Sequence, residues 1–248
     1  MAKERTGNGI TEGTIWKQIL LFFFPILFGT LFLTLYNTID AIIVGQALGK
    51  EALAAVSGGT STLTNLIIGF FTGVAGGATV VISQAYGAQD GEKVKKSLHT
   101  AICLSIVFSL VISIGGFLLT KPMLTIMATP KDIFPLAESY LRIYFLGSTG
   151  LIIFNMSSGI LRAFGDSRHP LWFLVIGAIL NIILDILFIA VFKRGVKGAA
   201  EATVISQAVS ALCTLIFLGT RKGLERMEVS RMLTYDPRIL QKMLAIGL

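Results

Sequence analysis

The stretch "LWFLVIGAILNIILDILFIAVF", residues 171–192, is apolar throughout except for Asn181 and Asp185. A helix needs about 20 apolar residues to cross the hydrocarbon core of a bilayer, and this stretch has that length. Because lipid offers no partners for open strand edges, an α-helix is the expected structure. The sequence therefore predicts an all-α membrane protein, a bundle of six transmembrane helices at about 15–44, 53–85, 96–120, 134–160, 170–192 and 198–219.

The composition supports a membrane setting. Hydrophobic residues make up 54% of the 248 residues and charged residues only 14%, with a mean hydropathy of +0.78. If the spans alternate in direction, most Lys and Arg residues lie on the side that holds both termini, which explains the net charge of +7. We therefore expect a multi-pass protein of the cell membrane, surrounded by lipid, with both termini in the cytoplasm and no nucleic-acid partner.

The C-terminal residues repeat the pattern of the N-terminal ones. "ILQKMLAIGL" (239–248) changes from polar to apolar as "IWKQILLFFF" (15–24) does, which is typical of internal duplication in transporters. The pattern predicts a six-helix lobe at 1–220, a cytoplasmic linker helix at 221–238 and the truncated start of a seventh transmembrane helix at 239–248. We expect this chain to be the first half of a longer protein.

Asp40 and Asp185 lie well inside the predicted spans, whereas Glu138 and Glu201 lie near span ends. An ionisable residue costs at least about 2.5–3.5 kcal/mol at the bilayer centre and is a functional candidate by default. Counted from the nearer span ends, Asp40, Asp185 and Thr203 all lie in the outer half of the bundle, at depths up to about 12 Å. Asn181 and Asp185 are four residues apart and share one helix face. These four side chains are therefore expected to converge.

The convergence of carboxylate, amide and hydroxyl oxygens suits a small hard cation such as Na⁺. Alternatively, one of the two carboxyl groups holds a proton, because two like charges in a dry site disfavour each other. Either state makes Asp40, Asn181, Asp185 and Thr203 a candidate ion-coupling site. The alternative interpretation is a structural hydrogen-bond network that joins helices. No cofactor other than the coupling ion, Na⁺ or H⁺, is expected.

Other polar or adaptable residues inside the spans are candidates for lining a cavity. Asn155 and Ser158 lie in the middle of the fourth span, and Gln207 follows Thr203 by one helical turn. Met and aromatic side chains accept varied ligands, although packing is the commoner role of any one of them. The predicted cavity residues are Tyr36, Asn37, Asn155, Met156, Ser158 and Gln207.

Two features of the first spans bear on helix geometry. Pro25 removes a backbone donor inside the first span, so a kink or local unwinding is expected near Phe22. The second span carries small or short polar residues at every fourth position, a pattern that favours close helix packing. These residues are Ser57, Ser61, Asn65, Gly69, Gly73 and Gly77.

The sequence shows no catalytic pattern. His99 and His169 lie near span ends with no second histidine at metal-ligand spacing, and Cys103 and Cys213 are expected to pack as small apolar residues. An intramembrane enzyme would need a nucleophile and base or a histidine cluster, so we do not expect an enzyme.

Several stretches resemble the multidrug and toxic compound extrusion (MATE) family. They are "LYNTIDAIIVGQALGKEALAAVS" (35–57), "GVAGGATVVISQAYGAQDGEKVKKSLHTA" (73–101), "ILRAFGDSRHP" (160–170) and "NIILDILFI" (181–189), and the resemblance extends over residues 10–248. It implies a twelve-helix protein of two six-helix lobes, of which this chain matches the first lobe and the opening of the seventh helix. The family exports cationic and amphipathic compounds in exchange for Na⁺ or H⁺.

The resemblance also implies roles for single residues. In the branch of the family with an ion site in the first lobe, Asp40, Asn181, Asp185 and Thr203 match the positions that form that site. Pro25 matches the proline associated with bending of the first helix. The second lobe is the missing partner, because alternating access needs an opposing wall.

Two other functions stay open from the sequence. A related flippase for lipid-linked saccharides should show a more cationic central cavity, whereas Arg142, near Glu138, is the basic residue within a predicted span. A non-transporting fragment would fold as a six-helix bundle without activity. The exported compound, and the choice between Na⁺ and H⁺, are not specified by the residues.

Overall fold

The helices of the computed structural model follow the apolar blocks of the sequence. The structure describes residues 14–221, 227–228 and 233–247, and within them it contains helices and no strands. The elements are α1 (Ile15–Leu48), α2 (Lys50–Ser57), α3 (Gly59–Gly87), α4 (Gly91–Ile126), α5 (Phe134–Ala163), α6 (Arg168–Asp185), a π-helix that continues α6 (Ile186–Val191), α7 (Val196–Thr220) and α8 (Pro237–Gly247).

Six helical stretches of the described chain are long and apolar enough to cross a membrane. The predicted fold class is confirmed: a six-span helical bundle is followed by α8, the start of a seventh helix. The connections lie at two ends of the bundle. One end, called the basic end because Lys and Arg residues flank its turns, carries the turns at 88–90 and 164–167. The other end, called the opposite end, carries Gly49 and the connections 127–133 and 192–195.

The second span is interrupted, although the sequence predicted one continuous helix at 53–85. The helix is interrupted at Gly58, whose N–H still donates to Ala54 O at 2.9 Å. The Thr60 hydroxyl then lies 2.6 Å from Val56 O and compensates for helical bonding lost at the break. Glycine favours such an interruption because it is a poor helix former.

Helix α5 lies in the middle of the bundle, packed against α3, α4 and α7. Its contacts with α7 are close because both contact points on α5 are glycines: Gly147 lies against Val204, and Gly150 lies against the main chain at Ala208. On the other side, Gly116 of α4 accommodates the ring of Phe145. In lipid, such close contact between small residues is a main source of helix association.

The stripe of small residues on the second span serves two purposes. Gly73 and Gly77 receive α8, and a methyl group at Gly77 would collide with the main chain of α8 at Met243. The packing interpretation therefore holds for the part of the stripe near the basic end. Ser57, Ser61 and Asn65 instead line a cavity.

Helix α1 continues without interruption through Pro25. The local unwinding expected near Phe22 is therefore absent from this conformation of the described helix. A role of Pro25 in bending α1 stays a prediction.

The segment after α7 is attached to the basic end through α4. The buried ring of His99 accepts a hydrogen bond from the Glu228 N–H at its Nε2, at 3.1 Å, and Lys95 forms an ion pair with Glu228 at 3.2 Å. The Asp236 N–H donates to Thr100 Oγ1 at 3.0 Å, just before α8 begins.

A second attachment lies at the turn between α5 and α6. The buried carboxylate of Asp166 accepts hydrogen bonds from Arg221 and from His169 Nδ1, the latter at 2.7 Å. Most of the predicted linker helix, residues 221–238, lies outside the described residues, and α8 begins at Pro237.

Candidate functional site

Helices α1 and α6 bring two carboxyl groups together near the middle of the bundle. Asp40 of α1 and Asp185 at the end of α6, the acidic pair below, lie beside each other. Asp185 is fully buried, and one oxygen of each carboxyl group, Oδ1, is buried without a hydrogen-bond partner. Buried carboxylate oxygens normally have partners, so the pair has the free acceptors that a proton or a cation requires.

Asn181 and Thr203 complete this group. The Asn181 amide satisfies both of its ends when Nδ2 donates to Asp185 Oδ2 at 2.7 Å and Oδ1 accepts from the Thr203 N–H at 3.2 Å. The Thr203 hydroxyl donates to Ala199 O at 3.0 Å, which leaves its oxygen lone pairs available as acceptors. The structure thus brings together all four residues that the sequence predicted to converge.

A cavity of about 420 Å³ lies beside the acidic pair. Asp40 and Thr203 reach its surface, whereas Asp185 and Asn181 lie behind them and do not line it. Of the predicted cavity residues, the lining includes Tyr36, Asn37, Asn155 and Gln207.

Met156 and Ser158 do not line this cavity. On α5, Asn155 faces the cavity and Met156 is turned about 100° away from it. Met156 is buried in the apolar cluster near the basic end. Ser158 lies nearly one turn farther toward the basic end than Asn155, beyond the lining residues of α5, and is buried with its hydroxyl unpaired. Their assignment to the cavity needs this correction, because the sequence shows neither the direction of Met156 nor how far the cavity extends.

The lining residues that were not predicted include two tyrosines. Tyr140 and Tyr144 lie one turn apart on α5, with their rings stacked at a centroid distance of 6.0 Å. The Tyr144 hydroxyl is within hydrogen-bonding range of Gln207, as the Tyr36 hydroxyl is of Thr203. The spacing of four between two polar-tipped aromatics in one span is the signal that could have found them.

The titratable carboxyl groups at the site have no basic side chain beside them in the described cavity lining. Among the described residues that line the cavity none is Lys or Arg. Arg142, the basic residue predicted within a span, is bound instead to Glu138 at 2.9 Å. A buried carboxylate without a cationic partner is costly, so neutralisation of the pair by a proton or a cation stabilises it.

The donor set fits a hard cation better than a transition metal. In the part of the chain that the structure describes, no group of three His, Cys, Asp or Glu side chains could hold a metal ion. The unpaired oxygens of the acidic pair, the amide oxygen of Asn181 and the hydroxyl of Thr203 are the ligands that Na⁺ accepts.

The comparisons with known proteins identify the family of the chain. The sequence model of the MatE family matches residues 25–187. The chain belongs to the MATE family. It is 34% identical over 208 residues to the "Probable multidrug resistance protein YpnP" of Bacillus subtilis, covering 84% of this chain and 46% of that protein. The "Probable multidrug resistance protein YoeA" of the same organism is 30% identical over 96% of this chain and 52% of its own length.

Solved structures place the chain in the N-terminal lobe of this family. A crystal structure of a MATE protein in the bent conformation has a TM-score of 0.89 and 30% identity, over 98% of this chain and 54% of that one. The chain therefore spans about half the length of these relatives. The family and the six apolar helices make it a multi-pass membrane protein of a transporter family rather than an enzyme family.

Proposed function

We propose that this chain is the first lobe of an exporter that exchanges amphipathic organic cations for Na⁺ or H⁺. The observation that carries the proposal is the acidic pair, with two partnerless oxygens beside a cavity without a described basic lining residue. A second six-helix lobe supplies the opposing wall for alternating access. Two relatives that carry the name of probable multidrug resistance proteins support this class of substrate.

The coupling ion and the organic cation compete for the same negative charge, and this competition couples the binding of one to the release of the other. Asp40 lies at the cavity surface and is linked to Asp185 behind it, so an organic cation in the cavity and an ion at the pair share one charge. At an effective dielectric constant of about 20, a cation about 8 Å from one carboxylate gains about 2 kcal/mol. Binding of Na⁺ or H⁺ removes this attraction, which favours release of the compound.

The charge distribution supports an orientation in the membrane. Lys93, Lys95, Lys96, Arg162 and Arg168 lie at the basic end. We place this end, together with both termini, in the cytoplasm of the cell, because basic residues are retained there.

A lipid-linked saccharide flippase is less well supported. A saccharide phosphate is an anion, and the described cavity lining has Asp40 but no basic side chain.

A binding experiment with this chain tests the proposal. Ethidium, a fluorescent organic cation, is titrated into the chain in lipid nanodiscs at constant ionic strength, with Na⁺ replacing choline or with the pH lowered. We expect at least a threefold loss of ethidium affinity, because either ion neutralises the acidic pair. Asp185→Asn should abolish this response, whereas Asp132→Asn, in the exposed connection 127–133, should retain it.

If Na⁺ and low pH lower the ethidium affinity of the Asp185→Asn variant as much as they lower that of the unchanged chain, the coupling role is refuted. Transport itself is measured as ethidium efflux from vesicles that contain the chain. If binding and competition occur without efflux, the chain alone is a binding lobe and the alternative of a non-transporting fragment is correct for this length.

A further inference from the structure

On each of three helices, an apolar residue lies one turn away from a residue of the proposed ion site, in the direction of the opposite end of the bundle. Val44 follows Asp40 by four residues on α1, and Ile189 follows Asp185 by four. On α7, which runs the other way, Ala199 precedes Thr203 by four residues. The side chains of Val44, Ile189 and Ala199 are 0%, 2% and 0% exposed.

These three residues belong to one packed apolar cluster. The π-helix that holds Ile189 contacts both α1 and α7, so the cluster joins the same three elements that form the ion site. Tyr140 of α5 also belongs to this cluster and lines the cavity on its other side. The acidic pair is therefore bounded by a dry layer in one direction and by the cavity in the other.

The π-helix sets the direction of Ile189 relative to Asn181. Phe192 N–H donates to Leu187 O, five residues back, at 2.9 Å. In an α-helix, at about 100° per residue, Ile189 would lie about 80° from Asn181 around the axis. A π-helix advances by only about 80° per residue, which returns Ile189 to within about 10° of Asn181. Both residues can therefore be buried on the same face.

We propose that Val44, Ile189 and Ala199 form an apolar plug that closes the acidic pair toward the opposite end of the bundle, so that ions reach the pair from the cavity past Asp40. This inference rests on the proposed ion role of the pair. The plug is one helical turn thick, about 6 Å. A charge that crosses it loses its hydration without gaining a partner, so its passage is disfavoured.

The plug matters for coupling because it leaves the ion and the organic cation one shared route. An ion that entered directly from the opposite end would reach Asp185 without competing at the cavity surface. Ile189 and Val44 thus form the barrier and do not bind the ion.

Chemical labelling of a reporter under the plug tests this inference. Cys103 and Cys213 are replaced by Ala, and Asp185→Cys supplies the reporter. The chain is placed in sealed vesicles, and a small membrane-impermeant cationic methanethiosulfonate is added only on the side of the opposite end, so that it cannot enter through the cavity. Adding Ile189→Ala should increase the labelling rate at least tenfold, because it opens a path for the reagent. Ile183→Ala, the same change at a lipid-facing position 55% exposed on the same helix, should leave the rate unchanged.

A second pair of variants guards against unfolding of the Ile189→Ala protein, which removes a buried side chain. Val44→Ala, on α1, should increase labelling of the same reporter, whereas Ile42→Ala, at an exposed position of that helix, should not. Equal labelling rates in the plug variants and their controls overturn the plug.

Labelling depends on neither ion nor ethidium binding, so the two proposals fail separately. Faster labelling together with an unchanged ethidium response in Asp185→Asn would keep the plug and remove the coupling role. A lost ethidium response together with equal labelling rates would keep the coupling role and remove the plug.

Discussion

The close contact of α5 with α7 at Gly150 predicts the effect of a single added methyl group. A β-carbon at Gly150 would lie 2.9 Å from Ala208 N, 3.0 Å from Ala208 Cα and 3.2 Å from Gln207 C. All three are main-chain atoms of α7, so no side-chain rotation relieves the overlap. Because carbon contacts are optimal at about 3.5–4.0 Å, the Gly150→Ala change must move the two helices apart by about 0.5 Å.

The expected loss of stability follows from two opposing effects. Overpacking of this kind costs about 1–3 kcal/mol. Replacement of a helical Gly by Ala returns about 0.5–1 kcal/mol through backbone entropy. The net loss of about 0.5–2 kcal/mol corresponds to a Tm lower by about 2–6 °C for a chain of this size. The measurement is thermal unfolding in detergent, followed by tryptophan fluorescence.

Gly115→Ala is the matched control. Gly115 lies inside α4, and a β-carbon there has no atom within 4 Å, so this variant gains helix propensity without a clash. We expect its Tm to be equal to that of the unchanged chain or slightly higher. If Gly150→Ala unfolds at the same temperature as Gly115→Ala or above it, the close α5–α7 contact described above is wrong.

Two further predictions concern the basic end. Asp166→Asn should lower the free energy of unfolding by about 2–4 kcal/mol, because it removes the buried carboxylate that accepts from both Arg221 and His169; thermal unfolding measures this, and an unchanged Tm would contradict it. His99→Ala removes the acceptor of the Glu228 N–H, a bond worth about 1 kcal/mol, so hydrogen exchange of that amide should quicken about fivefold to tenfold. Exchange at an unchanged rate would show that the His99 ring does not hold this segment.

The six spans could be predicted because hydrocarbon thickness fixes the length of an apolar helix, whatever its neighbours are. The grouping of Asp40, Asp185 and Thr203 could also be predicted, because depth in the membrane follows from residue counts. The sequence also placed Asn181 on the same face as Asp185. These inferences need no knowledge of how the helices are arranged around one another.

The direction of a side chain within a buried span could not be predicted in the same way. Helix α5 is packed on several sides, so its apolar residues show no single face from which the position of Met156 or Ser158 could be read. Glycine favours the break at Gly58, but α3 continues through Gly69 and Gly73, so glycine content alone did not mark the position of the break, and no residue pattern marked the π-helix at 186–191. In both, the backbone departs from the α-helix next to the cavity or the ion site.

A spacing of four residues relates the cavity, the ion site and the plug on α1 and α7. Helix α1 presents Tyr36 to the cavity, then Asp40 to the pair, then Val44 to the plug. Helix α7 presents Gln207, Thr203 and Ala199 in the same spatial order, although it runs in the opposite direction.

On α6 the residues Asn181, Asp185 and Ile189 follow one another at the same spacing, and the π-helix returns Ile189 to the direction of Asn181. The three helices thus share this register along the bundle axis. If the plug closes one side, this register gives the acidic pair a single entrance, and competition between ion and organic cation at Asp40 follows from the geometry.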